Sequence, residues 1–393
     1  MSSPTRAVDV VVVGGRVAGA STALLLARAG LSVALVDRGR RGSDTLSTHA
    51  LMRGGVLQLS RWGVLASVVA AGTPAVRRTL FRYADGEVAD VAIRPRAGVD
   101  ALYAPRRHLL DRLLVEAAEE AGVRVLHEAT VTSLHRDRSG RVAGVAGRTG
   151  SGARVDLTAG LTIGADGIRS RVAEQVGART TWQGRSASAV LYRYVDDPLA
   201  DGFEWTYGTG AGAGIIPTDD GASCLFVATT PARMRRVRRL GVEQAFTELL
   251  VAAGHAAAER ASGLRPVSPV RGWGGVPGFA RASSGPGWAL VGDAGCFKDP
   301  ITSHGITDAL RDAELLAREV LAGHSGAVPE RRALARYEAT RDRLSRDLVE
   351  VTEQVAAYDW DPPGVRSLLR RFSAAMADEV DHLERLDPVG SAH

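Results

Sequence analysis

Val8-Asp9-Val10-Val11-Val12-Val13-Gly14-Gly15-Arg16-Val17-Ala18-Gly19 is the stretch whose reading decides the fold. The valine run suits a strand buried on both faces, because β-branched side chains pack well on a pleated surface. Gly14 and Gly15 supply a tight turn, and Gly19 to Ala29 reads as an alanine- and leucine-rich helix stopped by Gly30. Leu31 to Val36 follows as a second apolar strand, closed by Asp37. Strand, helix and strand in this order make a βαβ unit, the usual start of a doubly wound dinucleotide-binding sheet. In the fingerprint G-x-G-x-x-G the first glycine makes the turn, the second admits the pyrophosphate, and the third packs helix on strand. Gly14 and Gly19 fit the first and last roles, and Arg16 replaces the middle glycine. That arginine must point outward or along the phosphates, where it would supply charge-assisted hydrogen bonds. Asp37 is placed to accept ribose hydroxyls, with Arg38 beside it in the same cofactor-binding group.

Outward from this unit the composition is that of an ordinary globular protein. The 393 residues exceed what one core holds, and 45% hydrophobic with 24% charged residues excludes global disorder. The net charge is +5, but 49 basic residues are interspersed with 44 acidic ones, so no basic stripe forms and nucleic acid is not an expected partner. Lys298 is the one lysine in that basic set. Cys224 and Cys296 lie far apart, which excludes a disulfide framework or thiolate zinc site and fits a reducing cytoplasm. The histidines show no H-x-x-x-H spacing, so no metal is expected. The apolar start is too short for a signal peptide, and no run approaches the ~18 residues of a membrane span.

Leu109 to Ala121 has helical spacing with Gly122 as its stop, and Val123 to Leu126 follows as a strand. Turns at Ser139-Gly140 and Gly150-Ser151-Gly152 separate alternating segments up to Leu161, which predicts a small β-meander. Val76 to Ile93 and Ala187 to Thr230 alternate and carry aromatics, with turns at Asp85-Gly86 and Asp219-Asp220-Gly221, which predicts one antiparallel sheet in a second domain. Trp288 to Val291 reads as a last buried strand before a helix from about Ile306 to Leu321. From Pro329 the periods are helical, interrupted at Pro362-Pro363.

Two further strand ends carry chemistry. Leu161-Thr162-Ile163-Gly164-Ala165-Asp166-Gly167 is an apolar strand running into a small-residue turn, where Asp166 either caps the next helix or serves a ligand. Gly292-Asp293-Ala294-Gly295 repeats that pattern and leads to Asp299-Pro300-Ile301-Thr302-Ser303-His304-Gly305-Ile306. Asp293 can accept a polyol hydroxyl, and the helix start at Gly305 and Ile306 offers free N–H groups and a positive dipole.

The three motifs, in this order and at these separations, resemble the class A flavoprotein superfamily, which includes hydroxylases similar to p-hydroxybenzoate hydroxylase, geranylgeranyl reductases and flavin-dependent halogenases; the likeness covers residues 8–325. The resemblance implies FAD in extended form, with NAD(P)H as co-substrate. Gly14, Gly15, Arg16, Gly19, Asp37 and Arg38 would then serve the ADP half, and Arg107 matches the family arginine of R-x-x-L-D. Arg53 lies in a loop similar to a flavin-side loop, Asp166 matches the Asp-Gly motif, and Gly292, Asp293, Pro300, Gly305 and Ile306 match the last motif. The expected architecture is α/β: a discontinuous Rossmann-type FAD-binding domain (1–75, 98–184 and 272–328), an antiparallel β-sheet substrate domain (76–97 and 185–271) and a C-terminal helical region (329–393).

The halogenase segment W-x-W-x-I-P corresponds here to Ala211-Gly-Ala-Gly-Ile-Ile-Pro217, without tryptophan, which disfavours halogenation. For an oxygenase the protein must keep water from a flavin C4a-hydroperoxide, so an apolar chamber is needed. Phe203, Trp205, Tyr207, Ile215, Ile216, Leu225 and Phe226 are its candidate wall, with Trp205, Tyr207, Ile216 and Phe226 as substrate-binding residues; the alternative is plain sheet core. His304 and, in Ser47-Thr48-His49, His49 are the candidate catalytic groups; the alternative for His304 is a loop histidine bonded to backbone, and for His49 a surface position is the better reading. The expectation is an FAD-dependent, NAD(P)H-consuming monooxygenase of a hydrophobic or aromatic small molecule, using molecular oxygen. The alternatives are a flavin-dependent reductase of isoprenoid-like double bonds and a non-catalytic flavin-binding protein.

Overall fold

The computed structural model describes residues 6–197 and 200–389. The N-terminal strand Arg6–Val13 lies in the middle of an eight-stranded sheet, paired in parallel with Val33–Val36 on one side and Arg154–Gly164 on the other. Arg124–Leu126 extends one edge, and Trp288–Leu290 adds to Arg154–Gly164, also in parallel. The helix Val17–Arg28 buries Val17, Ala20, Ala23, Leu24, Leu25 and Leu26 against this sheet, as the pattern predicts. The meander forms as Ala129–Arg136, Val142–Thr149 and Arg154–Gly164.

The stretches around 78–92 and 189–273 share a second eight-stranded sheet. It is not antiparallel throughout, because Phe203–Gly208 pairs in parallel with Arg78–Tyr83 and thereby joins the two stretches. Strand periodicity also divides the proposed wall. Phe203, Trp205, Tyr207, Ile216 and Phe226 share one face, whereas Ile215 and Leu225 turn to the other and pack with Phe246 and Leu249 of the helix Val242–Ala253. Adjacent residues of a strand cannot line one wall.

The long helix Gly305–His324 is buried almost all round between Val17–Arg28 and the helix Glu330–Ala356. The C-terminal helix Pro362–Glu384 begins at the proline pair, with Asp361 accepting from the Gly364 N–H at 2.8 Å. It carries Val365, Phe372 and Ala375 onto the aromatic face of the second sheet. No helix among the described residues is long and apolar enough to cross a membrane.

Candidate functional site

Backbone contacts bring the three glycine-bearing motifs together. Gly14 has φ +109°, and a Cβ there would lie 2.3 Å from the Ala165 carbonyl oxygen, so the first turn and the Asp166 turn touch main chain to main chain. A Cβ on Gly19 would lie 1.8 Å from the Gly14 oxygen, and one on Gly292 would lie 2.8 Å from Ala18 Cβ. The helix Val17–Arg28 starts at Arg16 with no side-chain cap, as does Gly305–His324 at His304, so both leave first-turn N–H groups free.

Between Trp288 and Ala317 the chain is buried except at Asp293 and Gly305, which are exposed, and Pro300, which is half-buried. An exposed carboxylate and an exposed helix start inside an otherwise buried stretch mark a cleft reaching into the protein. Protein packed around Asp293 pushes its carboxyl up to about 7; Arg107 opposes this, Asp308 and Asp312 add to it, and Lys298 opposes it. Water reaching the carboxylate through the open side of the cleft moderates that rise. Glycines where a Cβ would clash, free helix N–H groups and an accessible acid fit an extended dinucleotide carrying a diphosphate and hydroxyls.

Other predicted residues take more particular positions. Asp37 accepts from the Gly15 N–H and, at 2.5 Å, from the Gly39 N–H, so its carboxylate also shapes the turn. Arg38 is exposed. Arg16 turns to Asp111, donating at 2.9 Å, while Arg107 grips the same carboxylate at 3.1 Å. Arg53 donates to the Val99 and Arg94 carbonyls, both at 2.7 Å, and so clamps the loop 94–99. Asp166 bonds the Ser170 hydroxyl and accepts from Arg171 N–H at 2.7 Å, which is its helix-capping alternative. Asp299 accepts from Ile301 N–H at 2.9 Å and from Ser188 N–H at 2.6 Å, fastening the loop 298–305 to the second sheet.

The histidines differ most from expectation. His49 is not on the surface: it is fully buried, with φ +72°. Its Nε2 lies 2.6 Å from the Tyr194 hydroxyl, and burial and then Arg107 push its pKa down to about 3. His304 is 1% exposed, and its Nε2 bonds Glu379 at 2.9 Å. Both rings are closed off from solvent, whereas Asp293 is exposed. Thr48 and Ser303 hydroxyls, 3.2 Å apart, join the two histidine-bearing loops.

Trp205, Tyr207, Ile216 and Phe226 are all buried, with Trp205 and Phe226 rings 5.7 Å apart and Tyr207 edge-on to Trp360. Ile301, in the loop before Gly305, packs into this cluster. The sequence reading missed Asp308, Arg311, Asp312 and Glu379, which with Lys298 and His304 form a buried ionic group behind that loop. The charges at 308, 311 and 312 in a buried helix were a legible signal; nothing local marked Glu379. His304, Asp308 and Glu379 place ligand-type atoms within 4.8 Å of one another, but Lys298 and Arg311 already pair those carboxylates.

A family model described as an FAD binding domain matches residues 7–352. The chain is 29% identical over 348 residues to the menaquinone reductase of Mycolicibacterium smegmatis, covering 81% of this chain and 77% of the relative. It is 29% identical over 377 residues to aklavinone 12-hydroxylase DnrF of Streptomyces peucetius, covering 89% and 74%. The fold is similar to that of PqsL, a probable FAD-dependent monooxygenase from Pseudomonas aeruginosa, with TM-score 0.75 at 22% identity over 95% of this chain and all of that one.

Proposed function

Because the chain belongs to the FAD-binding domain family, we propose that this FAD-dependent oxidoreductase is an NAD(P)H-consuming monooxygenase of a hydrophobic or aromatic small molecule. Bound FAD supplies hydride acceptance from the nicotinamide and activation of molecular oxygen. The amides of the Gly14–Gly19 turn would hold its diphosphate, Asp37 the ribose, Asp293 the ribityl chain, and the N–H groups of Gly305 and Ile306 the ring end where charge develops.

The observation carrying the reading is the loop 298–305, which touches the cleft at Gly305 and packs Ile301 into the aromatic sheet face. A cofactor ring held at that helix start would abut an apolar surface closed from outside by Val365, Phe372 and Ala375. Excluding water there is what oxygen insertion requires of the protein. The substrate residues Trp205, Tyr207, Ile216 and Phe226 contribute as a group, through shape and dryness.

Reduction of an isoprenoid-like double bond is the second reading, favoured by the similarity to a menaquinone reductase. Purified protein given NADPH or NADH with candidate substrates, under isotopically labelled O₂ and anaerobically, separates the readings. Labelled product supports the monooxygenase, and anaerobic product formation supports the reductase. A flavin that no donor reduces leaves only a non-catalytic flavin protein.

A further inference from the structure

Against the loop Lys298–Gly305 the C-terminal helix inserts one carboxylate. Glu379 is 1% exposed and divides its oxygens between two elements. Oε2 bonds His304 Nε2 at 2.9 Å, and Oε1 accepts from Arg311 Nη1 at 2.8 Å. Arg311 also donates to Asp308 at 2.9 Å, to Asp312 at 2.7 Å and to Ser345 at 2.9 Å, and Asp308 pairs with Lys298 at 2.7 Å. Lys298 and His304 therefore bracket the loop, and both are held through this group.

Because Glu379 can only accept, His304 Nε2 carries the hydrogen, and the ring's orientation is set. The ring is packed edge-on to Phe372, 5.6 Å away on the same helix as Glu379. The preceding residue, Ser303, has φ +50°, a conformation that a non-glycine residue keeps only when its surroundings enforce it. Gly305 and Ile306 follow directly. Displacing the carboxylate would release His304 and uncouple Arg311 from the C-terminal helix, and the loop would lose both of these supports.

We propose that Glu379 is a positioning residue for the flavin, acting through His304 and Arg311 to hold the helix start at Gly305 and Ile306 in its cofactor-receptive place. The inference rests on assigning those two residues to the FAD site.

The test uses full-length protein stripped of FAD and titrated back by flavin fluorescence, with the visible spectrum and reduction potential of the reloaded protein as further readouts. Glu379→Gln keeps the shape and an acceptor for His304 but removes the charge facing Arg311. The expected result is a Kd for FAD raised roughly tenfold or more, as for one lost charge-assisted bond, with a shifted flavin band and potential. Val380→Ala, buried on the same helix but outside both the ionic group and the aromatic cluster, is expected to destabilise the fold and leave Kd unchanged. Wild-type Kd and spectrum in Glu379→Gln, or an equal loss in Val380→Ala, overturn the proposal. If Glu379→Gln does not fold, Glu379→Asp decides: a weakened Kd supports the role, and a native one overturns it. Wild-type protein that takes up no FAD would instead refute the cofactor assignment.

Discussion

Replacing Gly14 by alanine tests whether the first turn has the geometry on which cofactor binding depends. The new Cβ would lie 2.3 Å from the Ala165 oxygen and 2.7 Å from its carbonyl carbon, at φ +109°. Both clashing atoms are main chain, in the residue that directly follows a strand whose register to Arg6–Val13 runs up to the pair Val13 and Gly164, and the Ala165 N–H itself donates to the Val13 carbonyl at 2.8 Å, so no side chain can rotate away. The backbone conformation costs about 1–2 kcal/mol and the overpacking a further ~1–3 kcal/mol. Gly30→Ala is the matched control, because Gly30 has φ +92° with nothing within 4 Å of the added carbon, so only the conformational cost applies. Urea unfolding of the two apoproteins should therefore place Gly14→Ala below Gly30→Ala by ~1–3 kcal/mol, in a protein whose total stability is of the order of 5–15 kcal/mol. Gly14→Ala should fold and yet bind FAD about ten- to a hundredfold more weakly, the value of one amide bond to a charged phosphate. Equal destabilisation in the two variants, or undiminished FAD affinity in Gly14→Ala, would refute this reasoning.

Asp293→Ala should lose FAD during purification while leaving unfolding nearly unchanged, since the carboxylate faces the open cleft; a fully yellow variant contradicts the assignment. Arg16→Gly should retain FAD and cost about 1 kcal/mol, because Arg107 continues to hold Asp111; loss of FAD would identify Arg16 as a phosphate ligand instead. His49 has a folded pKa of about 3, below its value in the unfolded chain, so the unfolded state takes up a proton that the folded state refuses. Stability should accordingly fall by about 1.4 kcal/mol per pH unit between roughly pH 6 and 3, measured by denaturant titration. His49→Asn, which tolerates positive φ, should flatten that slope, and an unchanged slope would assign the acid sensitivity elsewhere.

Sequence alone decided whatever depends on neighbours along the chain. The valine strand, the glycine turn, the helix that follows and Asp37 at the next strand end form one continuous unit, and each signal is local. The same holds for the meander, the proline pair that restarts the last helix, and the two later aspartate turns. Tertiary structure decided what depends on which distant segments meet. The aromatic strands are legible in the sequence, but which of two neighbours such as Ile215 and Ile216 faces the C-terminal helix is fixed only by the register of the folded sheet. His49 reads as a surface residue because nothing beside it in the sequence reveals that Tyr194, 145 residues away, receives its ring. Glu379 lies 75 residues beyond His304, on a helix whose periodicity is that of any amphipathic segment. A buried charge is tolerated only where its partners converge, and that convergence is a property of the folded chain.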